Sequence, residues 1–192
     1  HSSHRRQRQM CIRDSGSLAG PIVGAAVKLE FQHLDLVSDV KDSKKLSPKK
    51  REEIYERVKK NEIEYSISER SNLHIDQNGI SVSNKEVLFK SIDKLYQKPD
   101  KVYVDHFKID KFGSISLVRG EDNSYSIALA SIIAKVYRDN LMINFGSKYP
   151  QYLFEKNKGY GTKEHLNMIQ KYGVCDIHRL SFNLGPTQQP QG

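Results

Sequence analysis

Residues Ile127–Val136, IALASIIAKV, decide the architecture. Apolar side chains cover this stretch nearly all the way round, which is the pattern of a helix buried inside a domain. The longest helix is therefore expected over Ser126–Phe145, at the centre of the fold. Such a helix needs a sheet to pack on, and Pro21–Leu29 (PIVGAAVKL) supplies a short apolar, β-branched run that reads as a buried strand. Ile63, Tyr65 and Ile67 alternate with polar residues, as in a half-exposed strand. Lys101–Val104 (KVYV) and Ser114–Val118 (SISLV) read as two further short strands. Asn84–Tyr96 carries Val87, Leu88, Ile92 and Leu95 at helical spacing. Ser47 followed by Pro48 starts another helix, with an N-cap and a proline at its first position. Thr162 caps a last helix, which Gly173 ends. Strands and helices alternate too irregularly for a doubly wound sheet, so the expected class is α/β, a mixed sheet with flanking helices.

The chain has 192 residues and a formal charge of +8, with 37% hydrophobic and 28% charged residues. That length and composition fit one domain with a real core and argue against wholesale disorder. No apolar run approaches the ~20 residues of a membrane helix, and no apolar stretch follows the Arg-rich start as a secretory signal requires. Two distant cysteines, Cys11 and Cys175, make neither a disulfide framework nor a zinc cluster, which points to a reducing, cytoplasmic setting. Nothing in the pattern calls for an obligate oligomer, so a monomer is expected. The positive balance favours a polyanionic partner.

The first fifteen residues, HSSHRRQRQMCIRDS, hold four Arg and one Asp and show no usable period. Three units are therefore expected: a foreign or disordered segment over 1–15, a globular domain over 16–186 and a tail over 187–192.

Three groups of residues can carry chemistry. Asp105 ends an apolar strand, where a carboxylate either projects into a cleft at the sheet's end or simply starts a turn. Glu121 and Asp122, in RGEDNS before the long helix, either favour the helix dipole or converge with Asp105 on divalent cations. Lys44, Lys45, Lys49 and Lys50 crowd one loop, and Arg119, Lys135 and Arg138 flank the acids. Taken singly these are solvated charges; taken together they read as contacts to a phosphate backbone. Tyr160, between two glycines in KGYGT, offers its ring to a sugar or base, or is an ordinary turn aromatic. His165 and His178 read as helix-surface and tail residues. Catalytic triads, P-loops and dinucleotide fingerprints have no counterpart here.

In order along the chain, LAGPIVGAAV, DSKKLSPKKRE, YVDHF, ASIIAKVYRD, YPQY, NKGYGTKEHL and HRLSF resemble the ribonuclease HII family. The resemblance runs from about Gly16 to Pro186. It implies a ribonuclease H-like fold with a mixed five-stranded sheet and a C-terminal helical part. It also implies an endonuclease that cuts the RNA strand of RNA–DNA hybrids and nicks 5′ of ribonucleotides embedded in DNA. Four carboxylates would hold Mg²⁺ or Mn²⁺ for two-metal phosphodiester hydrolysis. The third maps to Asp105 and the fourth to Glu121, where the family usually has Asp, with Asp122 as a neighbouring substitute. Tyr160 matches the tyrosine that packs on the sugar, and Lys44 and Lys45 the basic loop near the phosphates.

The family's first motif, D-E-x-G-R-G-P, is broken here. Its D-E pair falls on Cys11 and Ile12, its G-R-G on Asp14, Ser15 and Gly16, and only Gly16 survives. Asp14 is no replacement, because its register is wrong by three residues. The break coincides with the end of the aperiodic segment, so residues 1 to about 15 are read as foreign. As written, the chain is expected to cut slowly or not at all; the alternative is a non-catalytic hybrid-binding protein. A different ribonuclease H-fold nuclease is disfavoured by KGYGT and HRLSF.

Overall fold

The computed structural model describes residues 7–13, 16–40, 43–96, 101–105, 115–117 and 124–185. The described strands form one mixed five-stranded sheet of order β3-β2-β1-β4-β5. They are β1 (Gln7–Arg13), β2 (Ile22–Leu29), β3 (Tyr65–Arg70), β4 (Lys101–Asp105) and β5 (Ile115–Leu117). β1–β2 and β2–β3 pair antiparallel, whereas β1–β4 and β4–β5 pair parallel. This is the sheet that the resemblance implied.

The helices are α1 (Pro48–Lys60), α2 (Asn72–Asn78), α3 (Ile80–Asp93), α4 (Tyr125–Lys148), the single turn α5 (Phe154–Asn157) and α6 (Lys163–Tyr172). All eight residues of β2 are buried, because helices cover both of its faces. Val23, Ala25 and Val27 pack with Ile127, Leu129, Ile132 and Ile133 of α4, the helix expected at the centre. Ile22 packs with Ile75 of α2 and Val87 of α3. Gly24 lets α3 come close: a Cβ there would sit 3.0 Å from Val87 Cγ2. A second apolar cluster, built on Met142, Tyr152, Phe154 and Ile169, forms the C-terminal helical part. No helix among the described residues is long and apolar enough to cross a membrane.

Local signals place the helix ends. The Lys50 backbone N–H donates to Ser47 Oγ at 3.2 Å, and the His165 N–H donates to Thr162 Oγ1 at 3.2 Å. Gly173, at φ 76°, ends α6. α4 starts at Tyr125 with Ser124 as N-cap, but no side chain caps it.

Three readings shift. The third strand runs to Arg70, because Ile22 of β2 supplies it a partner there. α3 begins at Ile80, and α2 precedes it, started by the Ser71 hydroxyl, which accepts from the His74 N–H. The largest difference lies at the N-terminus, where Gln7–Arg13 forms β1 instead of an aperiodic arm. The slot between β2 and β4 offers backbone partners on both sides, and these pair with any non-proline residue whatever its side chain.

Candidate nucleic-acid interface and carboxylate site

Parallel pairing of β1 with β4 sets the register at the sheet's end. Met10 pairs with Val104, so the next positions, 11 and 105, stand level on neighbouring strands. Asp105 pairs on its other side with Leu117. Adjacent strands lie about 4.8 Å apart, so this is a place where two carboxylates from β1 and β4 would share one cation. This chain has Asp105 on β4 but Cys11 on β1, with Ile12 following. Cysteine sulfur and a hydrocarbon are poor ligands for a hard cation, which takes anionic and carbonyl oxygens. Among the described residues no group of three His, Cys, Asp or Glu is placed to hold a metal ion. Glu121, Asp122, Asp14 and Arg119 lie outside the described residues. Cys11 and Ile12 therefore do not fit the first two ligand positions of the divalent-cation site that the resemblance implied.

The basic and aromatic elements are better formed. Tyr160 is 36% exposed, and Lys135 Nζ stands 5.1 Å from its ring centroid. Lys135 in turn pairs with Asp139 at 2.7 Å. Lys44 and Lys45 lie on the 3-10 turn Ser43–Lys45 ahead of α1, with Lys45 exposed. Gly16 is exposed, and a Cβ placed on it would meet nothing within 4 Å.

Arg138 is not a phosphate contact. It is fully buried, and its guanidinium donates to the carbonyls of Pro21 (3.0 Å), Lys158 (2.8 Å) and Ala19 (2.9 Å) and to Ser17 Oγ (2.8 Å). Arg179, also fully buried, donates to the carbonyls of Gly20 (3.0 Å) and Pro21 (3.1 Å). These two arginines clamp residues 17–21, a loop whose carbonyls have few sheet partners. Burial of long cationic side chains is rare, so sequence alone reads them as surface.

His165 and His178 are likewise not surface residues. Both are buried, and their Nε2 atoms lie 3.1 Å apart. Desolvation, the largest cause for each ring, holds each at about 4, and for His178 the neighbouring ring adds to it. In the unfolded chain both titrate near 6.5, so between those values the unfolded state binds more protons. Their contribution to stability is thus fully present above about 6.5 and is lost as the pH falls towards about 4. The Tm is expected to be several degrees lower at about pH 5 than at about pH 7.5. Thermal melts across that window check this; a flat Tm would contradict it. Asp39, held down at about 2 chiefly by its hydrogen bond from Arg57, loses its own contribution only at lower pH.

The comparisons with known proteins decide the lineage. The sequence profile described as Ribonuclease HII matches residues 15–184. The chain belongs to the ribonuclease HII family. A ribonuclease HII of Caldicellulosiruptor bescii is 46% identical over 169 residues, 87% of this chain and 81% of that protein. One from Clostridium perfringens is 48% identical over 170 residues, again 87% of this chain but 62% of the longer protein. By descent the chain is therefore an endonuclease of the ribonuclease H type, a divalent-metal-dependent family. The crystal structure of the ribonuclease H2 from Pyrococcus horikoshii superposes with a TM-score of 0.78, covering 93% of this chain and 94% of that one at 22% identity. At that identity the likeness shows the ribonuclease H-like fold. The broken ribonuclease HII motif thus stands at the edge of the match, which begins at residue 15.

Proposed function

We propose that this chain binds RNA–DNA hybrids and duplex DNA carrying embedded ribonucleotides, and that the reaction of its lineage is cleavage of the RNA strand and nicking 5′ of such ribonucleotides. The observation that carries this reading is Tyr160, partly exposed on a glycine-bracketed turn with the Lys135 ammonium 5.1 Å from its ring. A ring so placed offers an apolar surface to a sugar while the cation beside it attracts the adjoining phosphate. Lys44 and Lys45, which match the family's basic loop, are the residues proposed to contact further phosphates. Gly16 leaves room for close approach of the nucleic acid.

Asp105 and Glu121 are the residues proposed for catalysis and metal binding, with Asp122 as the alternative to Glu121. A divalent cation would have to be held by these acids alone, because the first ligand pair is absent. Cutting by the chain as written is therefore expected to be very slow. Level placement of Cys11 with Asp105 favours, for this sequence, binding without efficient cleavage.

Binding is tested by anisotropy of a labelled RNA–DNA hybrid over a salt series. Three or so lysine–phosphate contacts predict that log K falls linearly with log salt, with a slope of about −2 to −3. Affinity that does not change between about 50 and 200 mM salt would remove the backbone-tracking face from this proposal.

A further inference from the structure

Behind Tyr160 lies a chain of buried hydrogen bonds that the proposed function does not use. The rings of His165 and His178 sit in an aromatic box, with centroids 5.4 Å apart for Phe154–His165 and 4.9 Å for Tyr152–His178. At each ring the shortest contact of the second nitrogen is to a group that can act in only one sense, and this sets the tautomer. The Tyr160 carbonyl can only accept, so His165 Nδ1 carries a hydrogen and donates to it at 2.8 Å. His178 Nδ1 lies 2.8 Å from the Cys175 backbone N–H, 3.2 Å from Cys175 Sγ and 3.3 Å from the Cys175 carbonyl. The N–H contact is the shortest and can only donate, so His178 Nδ1 is bare and accepts from it. A neutral imidazole holds one hydrogen, so His178 Nε2 carries it and donates to the bare Nε2 of His165 at 3.1 Å. One directional chain thus runs from the Cys175 N–H through His178 and His165 to the Tyr160 carbonyl. Reversing any link would oppose two donors or two acceptors.

Both ends of the chain grip residues 17–20. On one side the Leu18 N–H donates to the Gly159 carbonyl at 2.8 Å, next to Tyr160. On the other, the Arg179 N–H donates to the Leu18 carbonyl and the Gly20 N–H to the Ile177 carbonyl, each at 2.8 Å. Ala19 also bridges His178.

We propose that His165 and His178 are positioning residues for Tyr160. Their paired neutral rings fix the direction of the Tyr160 carbonyl, and with it the turn that presents the ring, relative to the segment that follows Gly16. This inference rests on the reading of Tyr160 as the group that meets the substrate's sugar. His165→Phe fills the aromatic box but removes the donor to Tyr160. His165→Asn restores an N–H close to the place of Nδ1.

The test uses the full chain and a labelled DNA duplex containing one ribonucleotide. Tyr160→Ala and His165→Phe are each expected to weaken binding about tenfold. The double variant is expected to be no weaker than either single one, because both remove the same placement. His165→Asn should bind within about threefold of the unmodified chain. Losses that multiply to about a hundredfold would mean that His165 supports only the fold, and would overturn the proposal. A tenfold loss in His165→Asn would do the same. Nitrogen–proton correlation spectra of the unmodified chain should show His165 protonated at Nδ1 and His178 at Nε2; two Nε2–H tautomers would also overturn it. If the unmodified chain fails to bind the duplex, it is the functional reading that falls. Positioning is then decided by the Tyr160 ring resonances, which should move in His165→Phe and return in His165→Asn. Resonances unmoved in His165→Phe would overturn positioning on their own.

Discussion

The quadruple variant Cys11→Asp, Ile12→Glu, Asp14→Gly, Ser15→Arg is expected to nick a duplex containing one ribonucleotide about a thousandfold faster than the unmodified chain, in Mg²⁺ or Mn²⁺. That factor corresponds to about 4 kcal/mol of transition-state stabilisation. The physical reason is charge. Hard divalent cations surrender water only to several anionic oxygens, and the position level with Asp105 on the neighbouring strand is a cysteine. Cys11→Asp would stand two carboxylates on adjacent parallel strands, about 4.8 Å apart. Ile12→Glu adds a third anionic group, and the Gly-Arg pair completes the family's first motif ahead of Gly16. The comparison is a single-turnover nicking assay on both chains, with circular dichroism to show that both are folded. A folded repaired chain that does not cut would count against the enzymatic reading. Robust cutting by the unmodified chain that disappears on Asp14→Ala would show that Asp14 replaces the missing carboxylates.

Arg138→Met is expected to destabilise the fold by about 3–5 kcal/mol, the cost of breaking a buried, fully engaged cationic centre. One guanidinium satisfies the carbonyls of Pro21, Lys158 and Ala19 and the hydroxyl of Ser17. Met has the length to fill the space but leaves all four acceptors without that donor, at about 1–3 kcal/mol for each one that water cannot reach. In a chain of this size the Tm should fall by roughly 10 °C or more. Arg138→Lys should recover only part of the loss, because a compact ammonium cannot reach acceptors spread around the edge of the guanidinium plane. Differential scanning calorimetry decides the point, and a Tm within about 3 °C of the unmodified chain would remove Arg138 from this role.

The destabilisation would also bear on the interface. Lys158 begins the turn that carries Tyr160, and residues 17–21 lie beneath it, so Arg138 ties the turn to the strand that enters the sheet. Arg138 is in α4, one turn from Lys135, whose ammonium lies beside the Tyr160 ring. The same helix therefore contributes one residue that builds the platform and another that acts on it.

The amino-acid sequence by itself determined the elements whose signals are local. Apolar coverage of Ile127–Val136 marks a central helix because no single stripe would leave it a solvent face. Ser47-Pro48 and Thr162 mark helix starts because their hydroxyls satisfy nearby backbone N–H groups. KGYGT and HRLSF carry the family resemblance because they are rare strings, and the match over residues 15–184 bears it out. Tertiary structure alone decided what depends on partners far along the chain. Gln7–Arg13 has no strand-like alternation, yet the backbone pairs there, because β2 and β4 offer donors and acceptors on both flanks. Arg138, Arg179, His165 and His178 look like solvated polar residues when read singly. They are buried with partners far along the chain: the arginines donate to carbonyls of the 17–21 loop, and His165 adds a second donor to the Tyr160 carbonyl beside the Thr162 N–H. Hydrophobic periodicity records which side chains leave water, but it does not record which polar groups must follow them to satisfy the backbone.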